Sequence, residues 1–187
     1  TVKGTDVSGA GHDMAGHAMG SVSSAGVLPA TAMAGAQPLD YVLEGDTKVF
    51  TLTAEVVEWP ITEGVTMTAY TYNGMVPGPL LRVTEGDKVR VVLQNQLPEA
   101  TTIHWHGVMV PNSMDGVAGV TQPAVEPGET FTYEFVAKPA GSYMYHSHTE
   151  GDKQVGLGLY APIIIDPAQP ESPAPDVDVI MMLSEAR

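Results

Sequence analysis

The sequence predicts an all-β domain, a sandwich or barrel of about seven to nine strands. Three observations carry that expectation. Apolar residues recur with period two from residue 49 onward, Gly/Pro/Asn turn signals separate the runs, and no segment sustains the 3.6-residue period of a long helix.

In chain order, Val49 to Trp59 is rich in Val, Thr and Phe. Val65, Met67 and Ala69 alternate with Thr66, Thr68 and Tyr70. Val89, Val91 and Leu93 alternate with Arg90, Val92 and Gln94. Phe131, Tyr133 and Phe135 alternate with Thr132 and Glu134, and Leu159 to Ile165 is a last apolar run. Each reads as a strand with one buried face. Asn73-Gly74, Pro77-Gly78-Pro79, Glu85-Gly86-Asp87, Pro127-Gly128-Glu129 and Pro139-Ala140-Gly141 supply the turns. Gly107 is a further position expected to serve a turn or a close backbone approach.

The flanks differ in composition. Residues 1–45 are expected to be a flexible Gly/Ala/Met/His-containing tail. They include Gly-His12-Asp-Met14-Ala-Gly-His17-Ala-Met19-Gly, which is either a set of chance ligands or a soft copper site. Residues 46–166 are the expected folded domain. Residues 167–187 read as a Pro-rich linker, after which Val177, Val179, Met181 and Leu183 resume a strand pattern. They are expected to begin a following domain. The chain opens on Thr, with no signal peptide in view, which suggests processing or trimming.

Among 187 residues, 22 are acidic and 8 basic, for a formal charge of −14. That balance argues against nucleic acid and anionic membrane as partners. No apolar run approaches the ~20 residues of a membrane span. The absence of cysteine excludes disulfides, thiolate zinc or iron–sulfur sites, and a blue-copper centre within this chain.

Four of the six histidines form two His-x-His pairs, His104-Trp105-His106 and His146-Ser147-His148. On a strand, residues i and i+2 face the same side, so each pair presents two imidazoles together. If the two strand ends are neighbours, four imidazoles converge. Clustered imidazoles lose hydration and repel when protonated, and a metal ion relieves both. Imidazole without thiolate or carboxylate suits copper, zinc or nickel.

Several stretches then resemble the first cupredoxin domain of multicopper oxidases, the laccase-like group. They are Tyr72 to Pro79, Arg82 to Asp87, Thr102 to Gly107, Met114-Asp115-Gly116, Thr121-Gln122-Pro123, Pro127 to Tyr133 and Gly141 to His148. The resemblance covers residues 48 to 166 in the family's order. It implies a cupredoxin-like Greek-key sandwich or barrel and copper as cofactor. By position, His104 resembles a type 2 copper ligand, His106 and His146 ligands of one type 3 copper, and His148 a ligand of the second. Further cupredoxin domains, in the same protein or a neighbouring subunit, are implied to supply the remaining histidines and the type 1 copper. Asp115 resembles a catalytic proton donor, although Asp-Gly is also a common turn dipeptide. Ser147 stands where another domain of the family has a Cys, so His146-Ser147-His148 is implied to be a ligand pair only.

The implied partners are dioxygen and a small reducing substrate, either phenols, aromatic amines or Cu(I). The implied location is extracytoplasmic, and both two-domain trimers and three-domain monomers occur in the family. Trp105, Tyr143 and Tyr145 are expected to pack and support the site, Met109 and Met114 to pack near it, and Glu150 and Asp152 to be solvated loop charges. The competing readings are a non-enzymatic copper-storage or delivery cupredoxin, a nitrite-reductase-like protein disfavoured by the missing cysteine, and a zinc hydrolase.

Overall fold

The computed structural model describes residues 28–30, 34–170, 172–173 and 175–185. His12, Met14, His17 and Met19 lie outside the described residues. The strands are β1 (Leu28–Pro29), β2 (Val42–Glu44), β3 (Thr47–Thr62), β4 (Val65–Tyr72), β5 (Leu81–Thr84), β6 (Lys88–Asn95), β7 (His104–His106), β8 (Thr130–Val136), β9 (Gly141–His146) and β10 (Tyr160–Asp166). One helix, α1 (Gly151–Gly156), and a 3-10 turn at Asn112–Met114 are the helical elements among these residues.

Two sheets face each other. The first runs β1-β3-β6-β8, with β2 and β4 also paired to β3, and the second runs β5-β10-β9-β7. From β4 to β9 successive strands change sheet, and the pairings mix directions: β3 with β6 and β5 with β10 are parallel, while β6 with β8 and β9 with β10 are antiparallel. This is the all-β, cupredoxin-like sandwich that the sequence predicts. Phe50, Leu52, Val91, Leu93 and Tyr133 from one sheet meet Leu81, Trp105, Tyr145 and Ile163 from the other in a continuous core. The predicted alternation holds in β6 and β8: Val89, Val91, Leu93, Tyr133 and Phe135 are buried, while Thr132 and Glu134 are exposed.

β3 departs from the expectation of one buried face. Phe50, Leu52 and Ala54 point into the main core, whereas Val57 and Trp59 belong to a second apolar cluster with Ala69. Val56 keeps the inward alternation onto the main core, so Val57 and Trp59 lie on the opposite face of the strand. The outer face of this half is covered because β1 pairs in parallel with Val57 and Glu58, and Ala30, Met67, Met75 and Val76 pack there. For the same reason Ala69, Tyr70, Thr71 and Tyr72 at the end of β4 are all buried, and the period-two signal fades. Residues 34–39 continue this strap, with Ala36 N–H donating to the Pro77 carbonyl and Leu39 N–H to the Leu80 carbonyl.

The alternation at residues 177–183 does not become a strand. Val177, Val179, Met181 and Leu183 are 74%, 67%, 81% and 96% exposed, and no described strand offers them a ladder partner. An isolated strand without an edge to pair with is not stable. The segment is tied down by Asp178, which pairs with Arg82 at 2.8 Å.

Candidate metal centre

β7 is the edge strand of the second sheet and pairs antiparallel with β9. The register sets His104 opposite His146, Trp105 opposite Tyr145 and His106 opposite Met144. Trp105 and Tyr145 point inward and are fully buried. The Trp105 ring packs on Phe135, Tyr133 and Tyr145 at 4.9, 5.5 and 5.7 Å, and the Tyr145 hydroxyl donates to the Pro79 carbonyl at 2.6 Å. Because these central residues are locked into the core, the flanking histidines must project from the opposite face.

All four imidazoles meet there. The His104 ring lies 5.6, 5.3 and 5.3 Å from those of His106, His146 and His148. Coordinating nitrogens of His104, His106 and His146 all fall within 4.8 Å of one another. The fourth, His148, sits just outside this trio, stacked against His146 at 6.3 Å. It lies beyond the end of β9 and is exposed.

Backbone carbonyls orient two of the rings. His104 Nδ1 is 2.7 Å from the Asp115 carbonyl oxygen, and His146 Nδ1 is 2.8 Å from that of Ser147. Each contact places the proton on Nδ1 and leaves the Nε2 lone pair for a ligand, as in well-formed metal sites. His106 Nδ1 approaches His146 Nε2 at 3.2 Å. Two nitrogens bound tetrahedrally to one ion at ~2.0 Å would be about 3.3 Å apart. The donor set is imidazole nitrogen without thiolate, which fits copper. Burial pushes the His146 imidazole below its ordinary value. His104, His106 and His148 act in the same direction, and the bond to Ser147 opposes them. A neutral His146 is the form that coordinates.

Asp115 is brought to this cluster by a glycine. Gly116 has φ +77°, and a Cβ there would stand 1.7 Å from the Ile103 carbonyl oxygen. Only glycine permits the turn to lie directly on the entry to β7. The Asp115 carboxylate Oδ1 is 3.4 Å from His104 Nδ1, at the ring edge opposite Nε2. Gly107 also allows close approach, since a Cβ there would meet the Tyr143 ring at 2.9 Å.

Met114 packs against the core as expected. Met109 does not: it is 61% exposed. Its backbone N–H is held by the Lys138 carbonyl. Glu150 and Asp152 are exposed, but between them and β10 lies a residue that sequence reading passed over. Gln154 on α1 is fully buried and bonds both Ser147 and Thr101. Its setting among Asp152, Lys153 and Gly156 carries no signal of burial.

Residues 53–170 match the multicopper oxidase family. The chain is 43% identical over 118 residues to copper resistance protein A of Pseudomonas syringae pv. tomato, covering 63% of this chain and 19% of that protein. It is 46% identical over 112 residues to laccase-1 of Emericella nidulans, covering 52% and 18%. The structure of a multi-copper oxidase from Pseudomonas thermotolerans superposes with a TM-score of 0.66 at 40% identity, over 67% of this chain and 31% of that one. The chain thus spans about a fifth of the length of these curated relatives. An all-β sandwich, paired histidines at one strand end and these likenesses together establish that the chain belongs to the multicopper oxidase family, as an N-terminal cupredoxin domain.

Proposed function

We propose that this chain supplies half the histidine ligands of a type 2/type 3 trinuclear copper cluster in a laccase-like oxidase. The observation that carries the reading is the convergence of both His-x-His pairs on one outer sheet face, with His104 and His146 as cross-strand partners. In this assignment His104 holds type 2 copper, His106 and His146 hold one type 3 copper, and His148 holds the second. The 3.2 Å approach of His106 to His146 supports pairing those two on one ion. Copper bound there supplies the reduction of dioxygen to water, with one-electron donors oxidised at a type 1 copper in another domain. Phenols, aromatic amines and Cu(I) are the candidate donors, and the copper resistance relatives favour including Cu(I).

The residues of this chain have separable tasks. The Asp115 and Ser147 carbonyls fix the tautomers of His104 and His146. The Asp115 carboxylate, 3.4 Å from His104 Nδ1, is the acid–base group of this chain assigned to hold and deliver protons beside the cluster. His106 and His148 are exposed, so a further cupredoxin domain, from the same protein or a neighbouring subunit, closes the site and excludes solvent. In this reading residues 46–166 are the copper domain, to which β1 and β2 from the preceding segment are paired, and residues 167–187 are the linker to that next domain. The protein works outside the cytoplasm. No helix among the described residues is long and apolar enough to cross a membrane.

Copper content and oxygen uptake with a phenolic donor, measured on the full-length protein, test this reading. Replacing His104, His106, His146 or His148 singly by Ala should remove copper and lower turnover by more than about a hundredfold. Unchanged copper and turnover in all four would overturn it.

A copper-storage role is the second reading. The three nitrogens within 4.8 Å favour it, because they form a one-ion site without any partner. It predicts one tightly held copper per chain and a full-length protein that consumes no oxygen.

A further inference from the structure

We propose that Gln154 is a positioning residue that sets the second histidine pair against the first, through Ser147 and Thr101. The inference rests on the copper-site reading above and adds a residue to it. Gln154 projects from α1 into the interior, where its side chain is fully buried. Its Oε1 accepts from Ser147 Oγ at 2.6 Å and Thr101 Oγ1 at 2.8 Å. Its Nε2 donates to Glu99 Oε1 and the Ala100 carbonyl, each at 2.9 Å. All four hydrogen-bonding positions of the carboxamide are thereby used.

The placement of these partners gives the network its consequence. Thr101 lies on the segment that leads into His104. Ser147 is the residue between His146 and His148 and is itself buried. One side chain therefore joins the approaches to both pairs. The Thr149 N–H donates to Ser147 Oγ at 3.2 Å, and the hydroxyls of Thr102 and Thr149 meet at 3.3 Å. These contacts tie down the turn that follows β9. His146 is fixed by the ladder with β7, but His148 lies past the last paired residue. Its backbone follows Ser147, whose N–H is held by the Leu159 carbonyl at 3.1 Å and whose hydroxyl is held by Gln154. The neighbouring Lys153–Glu99 ion pair holds the Glu99 carboxylate where Gln154 donates to it.

A buried polar group that loses its partner either pays desolvation or moves to find another. Deleting the carboxamide would leave the Ser147 hydroxyl only its Thr101 and Thr149 contacts and so loosen the turn that carries His148. Residues that orient metal ligands from behind typically change metal affinity 10–100-fold when mutated.

The test uses full-length protein loaded with Cu(II). Gln154→Met keeps the length of the side chain and removes all four bonds. Copper retention against a competing chelator should weaken about tenfold, and the near-ultraviolet absorption spectrum of the coupled copper pair that includes His148 should weaken. Ser147→Ala should do likewise, and the double variant should lose no more than either single one, because both act through the same contact. Val83→Ala, a core truncation in β5, should lower thermal stability while leaving retention and spectrum unchanged. If Gln154→Met does not accumulate as folded protein, Thr101→Val, which removes one donor at Oε1, should weaken retention in the same direction. Wild-type retention and spectrum in the Gln154 and Thr101 variants would overturn the positioning role and leave the copper site standing. A wild-type protein that takes no copper on these histidines would overturn both.

Discussion

The two histidine pairs share one spelling and are held in different ways. His104 and His106 sit within β7, where the Asp115 carbonyl meets His104 Nδ1 and the Gly116 turn is pressed on the Ile103 carbonyl. His146 closes β9, while His148 lies in the turn beyond it, backed by the side chains of Ser147, Gln154 and Thr101. A pair held by backbone tolerates changes of nearby side chains but not of backbone freedom. The second pair shares such backbone contacts and adds the side-chain network behind His148, so it is also sensitive to side-chain deletions there.

The change expected to strike hardest is Gly116→Ala. It puts a Cβ 1.7 Å from a carbonyl oxygen at φ +77°, and should cost at least about 3 kcal/mol or prevent folding, as read by chemical denaturation. Near-normal stability would show that β7 does not depend on this backbone contact. Asp115→Asn comes next, for activity rather than stability. The carbonyl that orients His104 remains, so copper content should hold, while oxygen turnover falls about a hundredfold for want of a proton donor. Loss of copper instead would mean that the carboxylate, not the carbonyl, supports the first pair. Ser147→Ala should cost about 1–2 kcal/mol in urea unfolding, because it removes one donor from a buried acceptor. An equal loss from a side-chain deletion beside the first pair would erase the contrast.

The smallest effect concerns acid. His146 in the fold titrates below its ordinary 6.5, so the unfolded chain binds a proton first as pH falls. In metal-free protein the stability it contributes is complete above about pH 6.5 and is lost as pH drops through the lower, folded value. His146→Gln should flatten the thermal midpoint across that acid window. An unchanged slope would show that His146 is more hydrated than its burial implies.

Much of this is legible in the sequence because it is local. The alternation at Val89-Val91-Leu93 and Phe131-Tyr133-Phe135 fixes which side chains face inward, and the same period-two rule sets each histidine pair on one face. Whether two strand ends meet is not local, and resemblance rather than pattern pointed to it. The supports were harder still. Ser147 reads as an inert spacer between ligands, and Gln154 as one polar residue in a charged loop, yet both are buried by segments distant in sequence. Gly116 looks like half of an ordinary Asp-Gly turn until Ile103 is seen beneath it. The strand added to β3 is hidden for the same reason: Leu28 to Ala30 carry no period of their own and are placed by the edge and face they meet.

The central claim is that these imidazoles share copper. Anomalous diffraction at the copper edge, on crystals of copper-loaded full-length protein, tests it most directly. The account predicts a peak between His106 and His146, with further peaks at His104 and His148. Copper found elsewhere in a folded protein, with these four rings free of metal, would contradict it.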